Sequence, residues 1–228
     1  QNITKEFNDT TFYYNTLKNY RFDNGKYTAL YDGESYNGTN AYISFNRNAE
    51  GWSFYTEYFL QPSTVRRDNG FISRVNFHQF FMQQEYNFYP AGNIFQRLDP
   101  EVNFEIRYDI DGNKLGDYLE FNQIVQFKNG IQINGGYLPV NDERYGGIYH
   151  TGINRWHFGL DANNLSKVLT GGFFYEWGKY IVRFAQPSFI GYGHNFDLYA
   201  TIKPFDQLRN DIEYSYSELS TKNNGELL

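Results

Sequence analysis

The sequence predicts an all-β protein: an antiparallel up-and-down transmembrane β-barrel with about twelve strands in this chain, forming part of a larger barrel. Three observations predict it. Apolar and polar residues alternate with a period of two over long runs, which is the pattern of strands with one apolar face. Asn-Gly and Asp-Gly dipeptides punctuate those runs, and they supply the positive φ that two-residue hairpins need. Aromatic residues are abundant: 22 Tyr, 22 Phe and 3 Trp among 228 residues. They collect toward strand ends, where amphipathic rings form girdles at the headgroup level of a membrane.

The strands are expected at 10–22, 26–36, 39–48, 51–61, 73–89, 101–110, 115–128, 131–140, 149–162, 167–181, 182–203 and 209–219, with a break in the eleventh at Pro187. Val102, Phe104, Ile106 and Tyr108 alternate with Asn103, Glu105 and Arg107. Leu119, Phe121, Val125 and Phe127 oppose Glu120, Asn122, Gln126 and Lys128. Trp156, Phe158 and Leu160 alternate with His157, Gly159 and Asp161, and Phe196, Leu198, Ala200 and Ile202 with Asp197, Thr201 and Lys203. Ile212, Tyr214 and Tyr216 oppose Asp211, Glu213 and Ser215. Turns fall at Asp23-Asn24-Gly25, Asn37-Gly38, Glu50-Gly51, Asp111-Gly112, Asn129-Gly130 and Gly146-Gly147. A strand plus its connection takes roughly 19 residues, too long for a sandwich of five-residue strands and suited to strands of about ten. Phe80 to Glu85 has some helical composition, but the flanking Phe and Tyr rhythm favours a strand.

Composition narrows the function classes. The formal net charge of −6 argues against a protein that lives on polyanion affinity, so no nucleic-acid partner is expected. The absence of cysteine removes disulfides, thiolate metal sites and Cys nucleophiles. Ala occurs seven times against 26 Asn, which disfavours an all-helical chain. No apolar run reaches the length of a membrane-spanning helix. The mean hydropathy of −0.67 suits a soluble protein. It also suits a membrane barrel, where only alternate residues meet lipid. No basic-then-apolar signal segment opens the chain, so Gln1 is expected to be a processed start or an internal cut.

The chemical motifs are sparse. Asp109-x-Asp111-x-Asn113 with Glu120 resembles a calcium loop, but Lys114 stands where such a loop needs Gly. A hairpin turn on Asp111-Gly112 explains these residues better. His78, His150, His157 and His194 share no metal spacing, and no metal or cofactor is expected. Neither Ser188 nor Ser217 lies in a G-x-S-x-G setting, so catalysis has no sequence support and no catalytic residue is assigned. Glu105, Glu120, Glu176, Asp197, Asp211 and Glu213 share the polar parity. Pairs of carboxylates can hydrolyse glycosides, but partnership with Arg107, Lys128, Arg155 and Arg183 inside a lumen is the stronger reading. Trp52, Trp156 and Trp177 serve a glycan platform or a lipid girdle equally well.

Arg66-Arg67-Asp68-Asn69-Gly70-Phe71-Ile72-Ser73-Arg74-Val75-Asn76, followed by Tyr86-Asn87-Phe88-Tyr89-Pro90, is the most distinctive stretch. With Arg107-Tyr108-Asp109-x-Asp111-Gly112, Phe127-x-Asn129-Gly130, Gly135-Gly136-Tyr137 and Gly171-Gly172-Phe173-Phe174-Tyr175-x-Trp177-Gly178, it resembles one β-barrel family over residues 40–220. This is the domain of unknown function that follows a family-9 carbohydrate-binding module in Gram-negative outer-membrane proteins. The resemblance implies location in the cell outer membrane and carries no catalytic residues. The chain departs from the family in two ways. Residues 1–228 include no carbohydrate-binding module, and Asn223-Asn224-Gly225-Glu226-Leu227-Leu228 does not read as a closing aromatic strand. Residues 1–228 are therefore expected to be one barrel domain, an incomplete fragment that matches the later part of the family.

The function expected is porin-like: passage or docking of a solute or partner protein, selected by pore radius and rings of charge. Glu57, Glu105, Arg107, Glu120, Glu176, Asp197 and Glu213 are the lumen-lining candidates. The partners expected are outer-membrane lipid and, at the surface, a glycan or another envelope protein. The alternatives are a surface carbohydrate-binding module and a membrane-embedded hydrolase.

Overall fold

The structure, a computed structural model, describes residues 21–22, 27–28, 39–62, 75–162, 166, 168–205 and 207–220. Of the first two expected strands, a two-residue pair is described, β1 (Arg21–Phe22) and β2 (Tyr27–Thr28). The rest of both strands, and the Arg66 to Arg74 part of the distinctive stretch, lie outside the described residues.

Every later expected strand is present. They are β3 (Ala41–Arg47), β4 (Trp52–Gln61), β5 (Phe77–Tyr86), β6 (Phe95–Asp109), β7 (Lys114–Phe127), β8 (Gln132–Tyr145), β9 (Ile148–His150), β10 (Arg155–Asp161), β11 (Leu169–Val182), β12 (Phe189–Phe205) and β13 (Leu208–Ser220). Together they form one antiparallel, up-and-down sheet of 11 strands, in which β10 pairs with β8 and β9 pairs with the far end of β8. The sheet is open: among the described residues, β3 and β13 are its edges.

The expected strand at 149–162 is two elements, β9 and β10. Gly152 adopts φ 73° between them, and Ile153 turns in to accept from Asn141 N through its carbonyl at 3.0 Å. β6 starts six positions before the expected 101, running through Pro100, and β8 continues past Pro139. Proline lacks the N–H that a ladder needs, and at Pro100 the pairing with β5 has already ended, at Glu85 with Glu101. β8 accommodates Pro139 in a bulge: Leu119 pairs with Val140 and Phe121 with Tyr137, so Leu138 and Pro139 together oppose Glu120. The expected run 182–203 begins only at Phe189, after a loop containing the cis Gln186–Pro187 bond. At the Asp111-Gly112 hairpin, Gly112 sits at φ 87° and its N–H donates to Asp109 O at 3.1 Å.

One row of paired residues crosses the sheet from Arg47 through Phe54, Gln84, Val102, Phe121, Tyr137, Trp156, Trp177 and His194 to Glu218. On β3 and β4 this row lies beside the Glu50-Gly51 hairpin tip. On β13 it lies at the opposite end, two residues from Ser220. Strand ends are thus staggered progressively across the sheet, the offset that tilted strands produce.

The registers sort side chains into two faces. Phe45, Trp52, Phe80, Val102, Phe121, Trp156, Phe173, Phe196 and Tyr214 stand on one; Glu57, Gln83, Asn103, Glu120, His157, Glu176, Asn195 and Ser217 stand on the other. Contacts between elements run along hydrogen-bonded neighbours, and no second layer of described residues covers the apolar face. Among the described residues, only Phe77, Leu138, Ile153 and Val182 are buried hydrophobics, whereas Phe45 is 63% exposed, Tyr214 54% and Trp156 49%.

Candidate functional site: the polar face

On the polar face, β6 and β7 present acceptors and donors at matched heights because Asn103 pairs with Glu120 and Glu101 with Asn122. The Asn103 amide donates to Glu101 at 2.6 Å and to Glu120 at 3.1 Å. Gln83 donates to Glu101 at 2.6 Å and Asn122 donates to it at 3.2 Å. Glu120 also accepts from Tyr118 and faces His157 Nδ1 at 3.7 Å. His157 lies flat over Gly136, where a Cβ would sit 2.4 Å from the ring; only glycine leaves that space.

Further along, Arg155 lies 3.7 Å from Glu176 and stacks its guanidinium 4.8 Å from the Tyr180 ring centre. Tyr180 donates to Glu176 at 2.6 Å and accepts from Asn195 at 3.3 Å, while Ser217 donates to Asn195 at 2.8 Å. The network therefore spans β5 to β13. It is tightly packed: Asn103 is 9% exposed, and the carboxylate of Asp99, held by Arg97 at 2.6 Å, is fully buried. Buried polar groups persist when partnered in this way.

All seven lumen candidates stand on this face, and they fall into separate groups. Arg107 pairs with Glu105 at 3.1 Å, beside a cleft of about 480 Å³ that Asn103, Tyr118 and Glu143 also line. Glu120 and Glu176 belong to the central network. Glu57 stands apart on β4, accepting from Tyr55 and, at 3.4 Å, from Tyr42. Asp197 and Glu213 lie toward the β13 edge, opposite Ser215 and Tyr199. Of the four expected cationic partners, Arg107 and Arg155 pair on this face, Arg183 binds Glu143 at 2.6 Å in the β11–β12 loop, and Lys128 donates to the Gly92 carbonyl at 2.6 Å. Sequence reasoning missed Glu101, which binds three amides, although it shares the parity of Asn103 and Glu105. It also missed His157 and Tyr180, since parity shows the face and not the partner.

The other motifs resolve locally. Asp109 accepts from Asn113 N at 2.7 Å and from its amide at 2.9 Å, inside the turn. Burial raises the Asp109 pKa, but the hydrogen bonds from Asn113 and Asp111 outweigh it, and the group is held below the ordinary carboxylate value. Ser188 lies 3.0 Å from His150 Nε2 and 3.5 Å from the Tyr145 carbonyl, so it ties the β8–β9 hairpin to the β11–β12 loop. Glu143, paired opposite His150, gives both carboxylate oxygens to Arg183. Among the described residues, no group of three His, Cys, Asp or Glu side chains is arranged to hold a metal ion.

The polar face is a fixed array richer in carboxylates than in guanidiniums. Glu57, Glu85, Glu101, Glu105, Glu120 and Glu176 stand against Arg97, Arg107 and Arg155. Such an array attracts cations and repels anions. No known protein family, curated protein or solved structure matches the chain.

Proposed function

We propose that this chain contributes the wall of an outer-membrane β-barrel, with its polar face lining a porin-like path or docking lumen. The observation that carries the reading is the inverted burial of the two faces. Leaving a large apolar side chain in water costs about 1.5–3 kcal/mol relative to burying it. A handful of uncovered rings would cancel a domain's entire net stability of about 5–15 kcal/mol. An apolar face this extensive is stable when its solvent is hydrocarbon.

Two further observations support the reading. The apolar parity is graded along the strands: Phe173, Tyr175, Trp177 and Lys179 follow in order on β11, and Phe158 and Trp156 on β10. Trp52 and Tyr86 pair at the opposite end of the sheet. Amphipathic rings at both ends and apolar residues between them match a bilayer with two interfaces. The progressive stagger of the strands is what barrel closure requires. Lipid cannot satisfy free backbone groups, so the reading requires the edges at β3 and β13 to be paired.

The lumen would discriminate by charge. Replacing Glu105 and Glu120 together by Gln is expected to lower cation preference in planar bilayers several-fold, read as a shift in reversal potential. Reversal potentials identical to the parent protein's would count against a charge-lined path. Native protein that leaves the membrane without detergent would count against the barrel itself.

A further inference from the structure

On the apolar face, near the end of β11 that leads to Lys179, lies a groove of about 410 Å³ lined by Trp156, Tyr175, Trp177, Tyr192, His194 and Glu218. Its walls follow from register: Trp156 pairs with Trp177, Trp177 with His194, and His194 with Glu218. The Tyr175 and Trp177 rings stack 5.2 Å apart at 24°. Trp156, Trp177 and Tyr192 remain 49%, 39% and 40% exposed, so ring faces are available to a ligand.

The anomaly is the carboxylate. Glu218 shares its parity with Ile212, Tyr214 and Tyr216, on the face otherwise given to rings and aliphatics. Its Oε2 accepts from Tyr216 at 2.7 Å and from His194 Nε2 at 3.0 Å. His194 Nδ1 in turn lies 3.3 Å from the Tyr175 hydroxyl. His194 thus bridges Tyr175 and Glu218 through its two ring nitrogens. Both bonds fall on Oε2, and among the described residues no donor reaches Oε1, which is left for a ligand. Lys179 is the next residue after Trp177 on the same parity, opposite Tyr192; it spends one N–H on the Gly152 carbonyl at 2.9 Å.

A carboxylate oxygen without a donor, set among exposed aromatic faces, has the chemistry of a cation site, because ring quadrupoles and a carboxylate both attract ammonium groups. A lysine beyond it suits the phosphate to which a lipid ammonium is tethered. We propose that this groove seats the phosphoethanolamine headgroup of a bilayer lipid, with its primary ammonium on Glu218 Oε1 and the Trp and Tyr faces and its phosphate toward Lys179. This rests on the membrane reading above, since it places Glu218 at headgroup depth rather than in hydrocarbon.

The test uses the full chain floated with vesicles and then examined by native mass spectrometry for retained lipid. Vesicles contain equal parts of phosphatidylethanolamine, phosphatidylglycerol and phosphatidylcholine. Phosphatidylethanolamine is expected to be retained about three- to tenfold over each of the others. Glu218→Gln should reduce that preference toward unity, whereas Asp211→Asn, on the opposite face of the same strand, should leave it unchanged. Equal retention of the three lipids by the parent chain, or a Glu218→Gln variant that keeps the preference, overturns the headgroup site while flotation leaves the barrel standing. Equal retention of phosphatidylcholine and phosphatidylethanolamine alone overturns the assignment to a primary amine, because a quaternary ammonium cannot donate to Oε1. A chain that fails to float overturns the membrane reading and this site with it.

Discussion

Gly135 and Gly136 are neighbours on β8 and belong to opposite faces. A Cβ built at Gly135 meets nothing nearer than His157 O at 3.7 Å, which is ordinary contact. One built at Gly136 would lie 2.2 Å from Asn122 Oδ1 and 2.4 Å from the His157 ring. The same contrast runs across the sheet. On the polar face, side chains are positioned by one another, through directional hydrogen bonds that fix each partner. On the apolar face they stand in ring-to-ring rows with their outer sides uncovered, and the surrounding medium decides their energy. One face is specified by packing and the other by solvent.

The largest way to break that comparison is to exchange solvents at matched positions. Phe173→Arg places a charge in the middle of the apolar face and is expected to destabilise vesicle-folded protein by about 2–4 kcal/mol in urea unfolding. Phe174→Arg, one residue on and paired with Asp197 across the sheet, should cost far less. Equal costs would mean that the apolar face does not meet lipid.

The glycine pair sharpens the packing half. Gly136→Ala must displace Asn122 and His157 and is expected to cost about 1–3 kcal/mol in the same assay. Gly135→Ala should stay within about 0.5 kcal/mol. The reverse order would show that the polar network is loose enough to yield.

The smallest expected effect lies outside both faces, in the β6–β7 turn. Asp109 is held below its ordinary value of 3.8, so it contributes stability above the unfolded pKa that is lost as pH falls through the lower folded pKa. Asn113→Ala should flatten the acid limb of a stability-versus-pH curve below that ordinary value. An unchanged acid limb would remove Asp109 from the account.

How much was legible differs by element. The strands around Val102–Tyr108 and Trp156–Leu160 were legible because strict alternation has a local geometric cause: successive Cβ atoms point to opposite sides. The parity of Glu57, Glu105, Arg107, Glu120, Glu176, Asp197 and Glu213 was legible for the same reason. The extensions of β6 through Pro100 and β8 beyond the expected 140 were not, because they depend on pairing: β5 has ended where Pro100 sits, and a bulge absorbs Pro139. The division of 149–162 into β9 and β10 depends on Ile153 turning inward, which no local pattern signals. Glu101 was passed over because its weight comes from three amides, two of them on neighbouring strands, Gln83 and Asn122.

The sequence by itself determined that this chain makes long strands, where most of its turns fall, and which residues share a face, since period-two alternation and positive-φ turns act within a few residues. Tertiary structure alone decided the register between strands, and with it the stagger, the central polar network and the Glu218 groove. Register is set by bulges and by pairing between distant segments, where a slip of one residue exchanges every contact while leaving the sequence pattern unchanged.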